Sequence, residues 1–220
     1  MLLQSERSVY AEADHPILDF EKVRSATLAK QPFEYLIVSD FIRPEWQNRL
    51  IAAYPVIEKA GSFPLSTVNS GGDFSQLIDA MNGLEFRRIV EEKFSLDLEG
   101  RPTMFTVRGY CRLTDGKIHT DTESKIITVL LYMNHAWANQ SGRLRLLKSA
   151  TRIDDTVAEI SPTVGTLLIF RRCDHSFHGH LPFEGERKVI QMNWVTHQKF
   201  VDREAKRHGW SALLKRFRLS

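Results

Sequence analysis

Apolar residues along this chain keep two different periods, and the change falls near residue 100. Before it they recur at helical spacing. Pro44 suits the first turn of a helix, with Trp46, Leu50, Ile51 and Tyr54 on one face and Pro55 as its stop. Asp73 is placed to cap a second helix that carries Phe74, Leu77, Ile78 and Met81 until Asn82-Gly83 breaks it. Leu84 to Phe94 forms a third, around Phe86, Ile89, Val90 and Phe94. Tyr35 to Val38 reads as a strand, and residues 61–72, small and polar, as a loop. Residues 1–30 read as a loosely held arm with one short helix near Ile17 to Val23.

Beyond Pro102 the period becomes two. In Met104 to Leu113, Thr106, Arg108, Tyr110 and Arg112 share one face and Phe105, Val107, Gly109, Cys111 and Leu113 the other. In Lys125 to Met133 the faces are Ile126, Thr128, Leu130 and Tyr132 against a wholly apolar Ile127, Val129, Leu131 and Met133. Arg187 to Val195 divides into Arg187, Val189, Gln191 and Asn193 against Lys188, Ile190, Met192 and Trp194, and Gly165 to Phe170 is a further strand. Helices followed by strands indicate an α+β fold. One apolar and one mixed face per strand suits a sheet covered by helices on one side, with a polar pocket on the other. A double-stranded β-helix (jelly roll) with N-terminal helices packed on its larger sheet has this pattern. The expected organisation is an arm over 1–30, one jelly-roll domain over 31–197 with its chemistry in 104–195, and a tail over 198–220.

Composition changes this picture little. A chain of 220 residues can bury one substantial core, and 42% hydrophobic with 26% charged residues is ordinary for a soluble globular protein. No apolar run approaches membrane-spanning length and the N-terminus lacks the apolar centre of a signal peptide. Cys111 and Cys173 form no CxxC, so the expectation is a cytoplasmic protein with reduced thiols. Charge is uneven. Of 30 Lys and Arg and 27 Asp and Glu, seven and two lie in 198–220, leaving 23 against 25 in the body. In that tail Trp210, Leu213, Leu214 and Phe217 fall on one helical face with Lys215, Arg216 and Arg218 around it. Docking on the protein's own body or on a homodimer partner is the plainer reading; an anionic surface is the rival.

The mixed faces carry the candidate chemistry. His119 and Asp121, two apart, point the same way on an extended segment. Alone, such a pair is most often a solvated strand end. Ser176-Phe-His178-Gly-His180 adds imidazoles if its strand returns alongside. Two neutral imidazoles and one carboxylate form the facial triad that binds Fe(II) with positions left open. His175, His178 and His180 compete for the third place. With a turn at 182–185, His180 falls opposite Arg187 and His178 opposite Val189, so both share the face of Arg187 and His175 does not.

His119-Thr-Asp121, Tyr132-Met-Asn134, Trp137, Gly142-Arg-Leu144, His178 and Arg187 together resemble the Fe(II)/2-oxoglutarate-dependent dioxygenases, in particular their prolyl-hydroxylase-like branch. The resemblance covers roughly half the chain and extends weakly to Phe33–Ile42; Ser141-Gly142 stands where the family often has a Gly pair. It implies His119, Asp121 and His178 as metal ligands and catalytic centre, the family spacing favouring His178 over His180. It implies Fe(II), 2-oxoglutarate as cosubstrate, and ascorbate as a candidate reductant. Arg187, whose planar fork matches a carboxylate, would hold the far end of 2-oxoglutarate with the hydroxyls of Tyr132 and Thr128, and Tyr110 the end nearer the metal. Arg108, Arg112, Gln191, Asn193 and His180 are candidate substrate-pocket residues, although a solvated strand end is the plainer reading of the two arginines.

The reaction implied is hydroxylation of a C–H bond in an amino-acid, peptidyl or other small-molecule or glycan substrate, with release of succinate and carbon dioxide. Nucleic acid is disfavoured, because demethylases of the superfamily usually carry a second Arg six residues after the first, where this chain has Asn193. A catalytically silent jelly-roll binding protein is the alternative, and the full ligand set argues against it. A cupin-like metal enzyme would leave Arg187 unexplained.

Overall fold

The computed structural model describes residues 15–206. Its N-terminal part holds α1 (Phe20–Ser25), β1 (Tyr35–Val38), α2 (Pro44–Ala52), β2 (Phe63–Pro64), α3 (Asp73–Met81) and α4 (Leu84–Phe94). The strand half follows with β3 (Thr103–Cys111), β4 (Lys125–Tyr132), β5 (Leu144–Leu147), β6 (Thr156–Ile160), β7 (Leu167–Arg171), β8 (His178–Gly179) and β9 (Gly185–Val195). Two antiparallel sheets result, six strands in the order β1-β7-β4-β9-β3-β2 and three in the order β6-β5-β8. This is the expected α+β jelly roll.

The large sheet has the two faces read from alternation. Ile127, Val129 and Leu131 of β4 and Ile190, Met192 and Trp194 of β9 are buried in one cluster with Leu50, Phe74, Leu77, Met81, Phe86 and Phe94 of the helices. The opposite face gives Tyr132, Leu168, Phe170 and Val189 to a second cluster with Leu144, Leu146 and Ile160 of the small sheet. Fully burying each such side chain contributes roughly 1.5–3 kcal/mol, an upper bound since the unfolded chain already hides some of this surface. Tyr54, just past α2, is buried, and its hydroxyl lies 2.8 Å from the Arg108 carbonyl and 2.9 Å from that of Val189. Its single proton serves both acceptors and ties the helical layer to the β3–β9 pair.

Four expectations are corrected. Residues 15–30 are no loose arm: Ile17, Leu18, Phe20 and Val23 are buried in the main core. Asp73 is the first helical residue rather than the cap, which is Gly72, and its carboxylate takes Arg49 at 2.8 Å. The loop over 61–72 contains β2, because Phe63 and Pro64 pair with Val107 and Thr106 along the sheet edge. The turn at 182–185 does not close a hairpin. His178 pairs with Leu146 in the small sheet, and the chain crosses to the large sheet before β9 begins. The tail helix around Trp210 and Phe217 lies outside the described residues, which end in a helical stretch over 198–206.

Candidate metal centre

The two sheets bring His119 and His178 together directly. Each donates its backbone N–H to the other's carbonyl at 3.0 Å, so the two side chains leave the backbone side by side. The ligating atoms of His119, Asp121 and His178 lie within 4.8 Å of one another. His119 Nδ1 sits 2.8 Å from the Lys117 carbonyl and His178 Nδ1 3.0 Å from the Ser176 carbonyl. A carbonyl only accepts, so Nδ1 carries the proton in both rings and each Nε2 lone pair is left for a metal. Two neutral imidazoles and one carboxylate are the donor set that an Fe(II) facial triad needs.

Asp121 is buried and both of its oxygens are engaged. Lys125 Nζ lies 2.6 Å from Oδ1, and the Thr128 hydroxyl donates to Oδ2. Burial pushes this carboxyl up, but the Lys125 ammonium, His178 and the two hydrogen bonds outweigh it and hold it below the ordinary carboxylate range. Behind Thr128, Asn193 Nδ2 donates to its hydroxyl at 2.8 Å and Gln191 Nε2 donates to Asn193 Oδ1 at 3.0 Å. Every donor in this chain points toward Asp121. His178 is pulled down to about 4, chiefly by burial, which keeps it neutral in the metal-free protein.

Arg187 lies at the far side of the same cavity, buried to 5% exposure. Its Nε donates to the Gly142 carbonyl at 2.7 Å, its Nη2 lies 3.4 Å from the Tyr132 hydroxyl, and no carboxylate pairs with it among the described residues. Gly142 is held at φ 76° and a Cβ there would meet Trp137 at 2.7 Å, so glycine is required where Arg187 is anchored. The cavity has a volume of about 220 Å³.

The expected site residues are not all brought together. Arg108, Thr128, Gln191, His180 and Arg187 line the cavity with the three ligands. Tyr132 stands behind Arg187, fully buried. Thr128 is spent on Asp121 rather than on a distal carboxylate. Tyr110 and Arg112 do not line the cavity: the register slips between Arg108 and Tyr110, Tyr110 pairs with Glu186, and Arg112 is exposed. Arg108 is held by Asp115 at 2.9 Å. Asn193 lies behind the lining, in the chain to Asp121. His180 keeps its Nδ1 on the Leu181 carbonyl and stands outside the three-residue cluster. Lys125 was missed, because alternation assigns it to the face of Ile127; Asp115 carried no signal beyond its charge.

Comparison with known proteins agrees with this geometry. Residues 106–196 match the 2OG-Fe(II) oxygenase superfamily, the segment that holds all three ligands and Arg187. No curated protein matches the chain. A prolyl-4-hydroxylase from Pseudomonas putida superposes with a TM-score of 0.54 at 18% identity, covering 74% of this chain and 92% of that one. A viral collagen prolyl hydroxylase from Paramecium Bursaria Chlorella virus-1, solved with 2OG, does so at 0.53 and 14% identity, over 74% and 96%. At these identities the likeness is one of fold. The resemblance first seen in the motifs therefore stands, and with it an oxidoreductase using Fe(II) and 2-oxoglutarate. No described helix is long and apolar enough to cross a membrane.

Proposed function

We propose that this chain is an Fe(II)- and 2-oxoglutarate-dependent dioxygenase that hydroxylates a C–H bond of an amino-acid, peptidyl or other small-molecule or glycan substrate, releasing succinate and carbon dioxide. Residues 31–197, with the docked segment 15–30, make up its domain. The observation that carries the reading is Arg187: a buried guanidinium without a carboxylate partner among the described residues, in the cavity that holds His119, Asp121 and His178. A buried charge without a partner is costly, so a cation kept there is matched by an anion from outside.

Fe(II) on His119, Asp121 and His178, together with 2-oxoglutarate, would supply the oxidising power for attack on an unactivated C–H bond. The chain's own residues do the rest. Lys117 and Ser176 carbonyls fix the imidazole tautomers, Thr128 and Asn193 fix the carboxylate, and Arg187 with Tyr132 receives the distal carboxylate. Leu130, Leu144 and Val189 line the cavity with apolar surface and limit water. A silent binding jelly roll has no use for this donor set. The test is succinate formation from 2-oxoglutarate under oxygen by iron-loaded protein. Iron-replete protein that forms no succinate beyond the level of Asp121→Ala, across a panel of amino acids, peptides and sugars, would overturn the reading.

A further inference from the structure

A bulge opens β4. Lys125 pairs with Val195 and Ile127 with Trp194, so Ile126 is the extra residue. Strict alternation would put Lys125 on the face of Ile127 and Val129, inside the helix-covered core. The bulge instead lets Ile126 and Ile127 both pack on that core and turns Lys125 to the cavity, beside Thr128. There its side chain is 12% exposed, and Asp121 is its one anionic partner among the described residues.

We propose that Lys125 is the receptor for a carboxylate on the substrate, and that its pairing with Asp121 gives way to that carboxylate once Asp121 holds a metal. This rests on the Fe(II)/2-oxoglutarate reading above. A divalent metal held by His119, Asp121 and His178 takes up the Asp121 charge and repels the ammonium beside it. The remaining charges are already matched. Asp121 and one carboxylate of 2-oxoglutarate meet the two charges of the metal, and the other carboxylate meets Arg187. Arg108 has Asp115 at 2.9 Å. Among the described residues that line the cavity, Lys125 alone is left buried and unmatched, and a single negative charge satisfies it. The cavity of about 220 Å³ must also hold the cosubstrate, which favours a carboxylate over a bulkier phosphate. A free amino acid or another small carboxylic acid meets these terms. A residue within a peptide chain that has no side-chain carboxylate, its own carboxyl tied up as an amide, does not.

Two measurements on the full chain test this. The first is Mn(II) titration, followed by electron paramagnetic resonance, of wild type and Lys125→Met, which keeps an apolar stem and removes the charge. An ammonium that competes with metal for Asp121 predicts about tenfold tighter binding in Lys125→Met. Equal or weaker binding means that Lys125 merely positions Asp121, and overturns the proposal. The second uses acetate labelled with carbon-13 at the carboxyl as the probe, with protein saturated by Mn(II) and 2-oxoglutarate. Saturable paramagnetic relaxation is expected for acetate with wild type, not for acetamide, and not with Lys125→Met. No relaxation, equal relaxation by acetamide, or relaxation that survives Lys125→Met would each sink it. Failure of 2-oxoglutarate to bind the metal-loaded protein would instead remove the cosubstrate reading itself, and the proposal with it.

Discussion

Asn193 donates its side-chain amide to the hydroxyl of Thr128 at 2.8 Å, and that leaves the hydroxyl proton for Asp121. The direction of each bond follows from the last acceptor, since an ionised carboxylate cannot donate. Thr128→Val keeps the shape of the side chain and removes the hydroxyl. Asn193 then has an unsatisfied buried N–H and Asp121 loses a donor. The expected results are a loss of about 1–3 kcal/mol in urea denaturation and roughly tenfold to hundredfold weaker Fe(II) binding. Unchanged Fe(II) affinity would show that this chain does not orient the carboxylate.

The rival histidines separate by metal content. His178→Ala removes an Nε2 that sits with the other ligands, whereas His180 keeps its Nδ1 on the Leu181 carbonyl and belongs outside the cluster. Anaerobic reconstitution should give about one Fe(II) per chain in His180→Ala and almost none in His178→Ala or Asp121→Ala. Metal loss confined to His180→Ala would reverse the assignment.

What could be read in advance, and what could not, follows from local physics. The core face of β4 was legible because Ile127, Val129, Leu131 and Met133 keep a strict period of two, and that period gave the sheet its sides. The ligand spacing was legible because His119 and Asp121 are near neighbours in the chain. Lys125 was missed because the bulge in β4 shifts the alternation without leaving a mark in residue type, and Tyr110 stays outside the cavity lining where β9 sets two residues, Arg187 and Lys188, opposite Gly109. Ile17, Leu18, Phe20 and Val23 are too few and too closely set to show a period, yet all four are buried. The crossing after His180 was read as a hairpin, because Pro and Gly mark a turn equally well within a sheet and between two sheets.

Metal-free protein should lose stability in mild acid. Burial above all holds His178 at about 4, and burial with the nearby Arg187 charge holds His180 at about 4 as well. An exposed histidine titrates near 6.5. Between those values the unfolded chain binds more protons than the folded one, so stability is fully present above about pH 6.5 and declines as pH falls toward 4. Each imidazole contributes up to about 3 kcal/mol, at roughly 1.4 kcal/mol per pH unit. Urea midpoints measured with a chelator present should drop steadily from pH 7 to pH 4.5, and less steeply in His180→Gln. A flat profile over that range would mean that neither ring is held neutral by the fold.

The sharpest test concerns Arg187. Its Nε is fixed on the Gly142 carbonyl and its Nη2 lies near the Tyr132 hydroxyl, which aims the remaining N–H groups into the cavity. A charged hydrogen bond contributes roughly 1.5–3 kcal/mol, and leaving a buried anion without its partner costs more. Arg187→Ala should therefore weaken 2-oxoglutarate binding by at least about tenfold to a hundredfold, at 1.4 kcal/mol per decade. Fe(II) should still bind, because Arg187 lies outside the ligand cluster. Arg187→Lys should recover only part of the loss, since an ammonium cannot hold Gly142 and a carboxylate with one planar fork. Tyr132→Phe removes one hydroxyl and should cost less than either. The measurement is titration of anaerobic Fe(II) protein with 2-oxoglutarate, followed by the visible absorption of the chelate. If Arg187→Ala binds as tightly as wild type, the distal carboxylate sits elsewhere. Arg108 would then be the group to replace next, as the other guanidinium that lines the cavity.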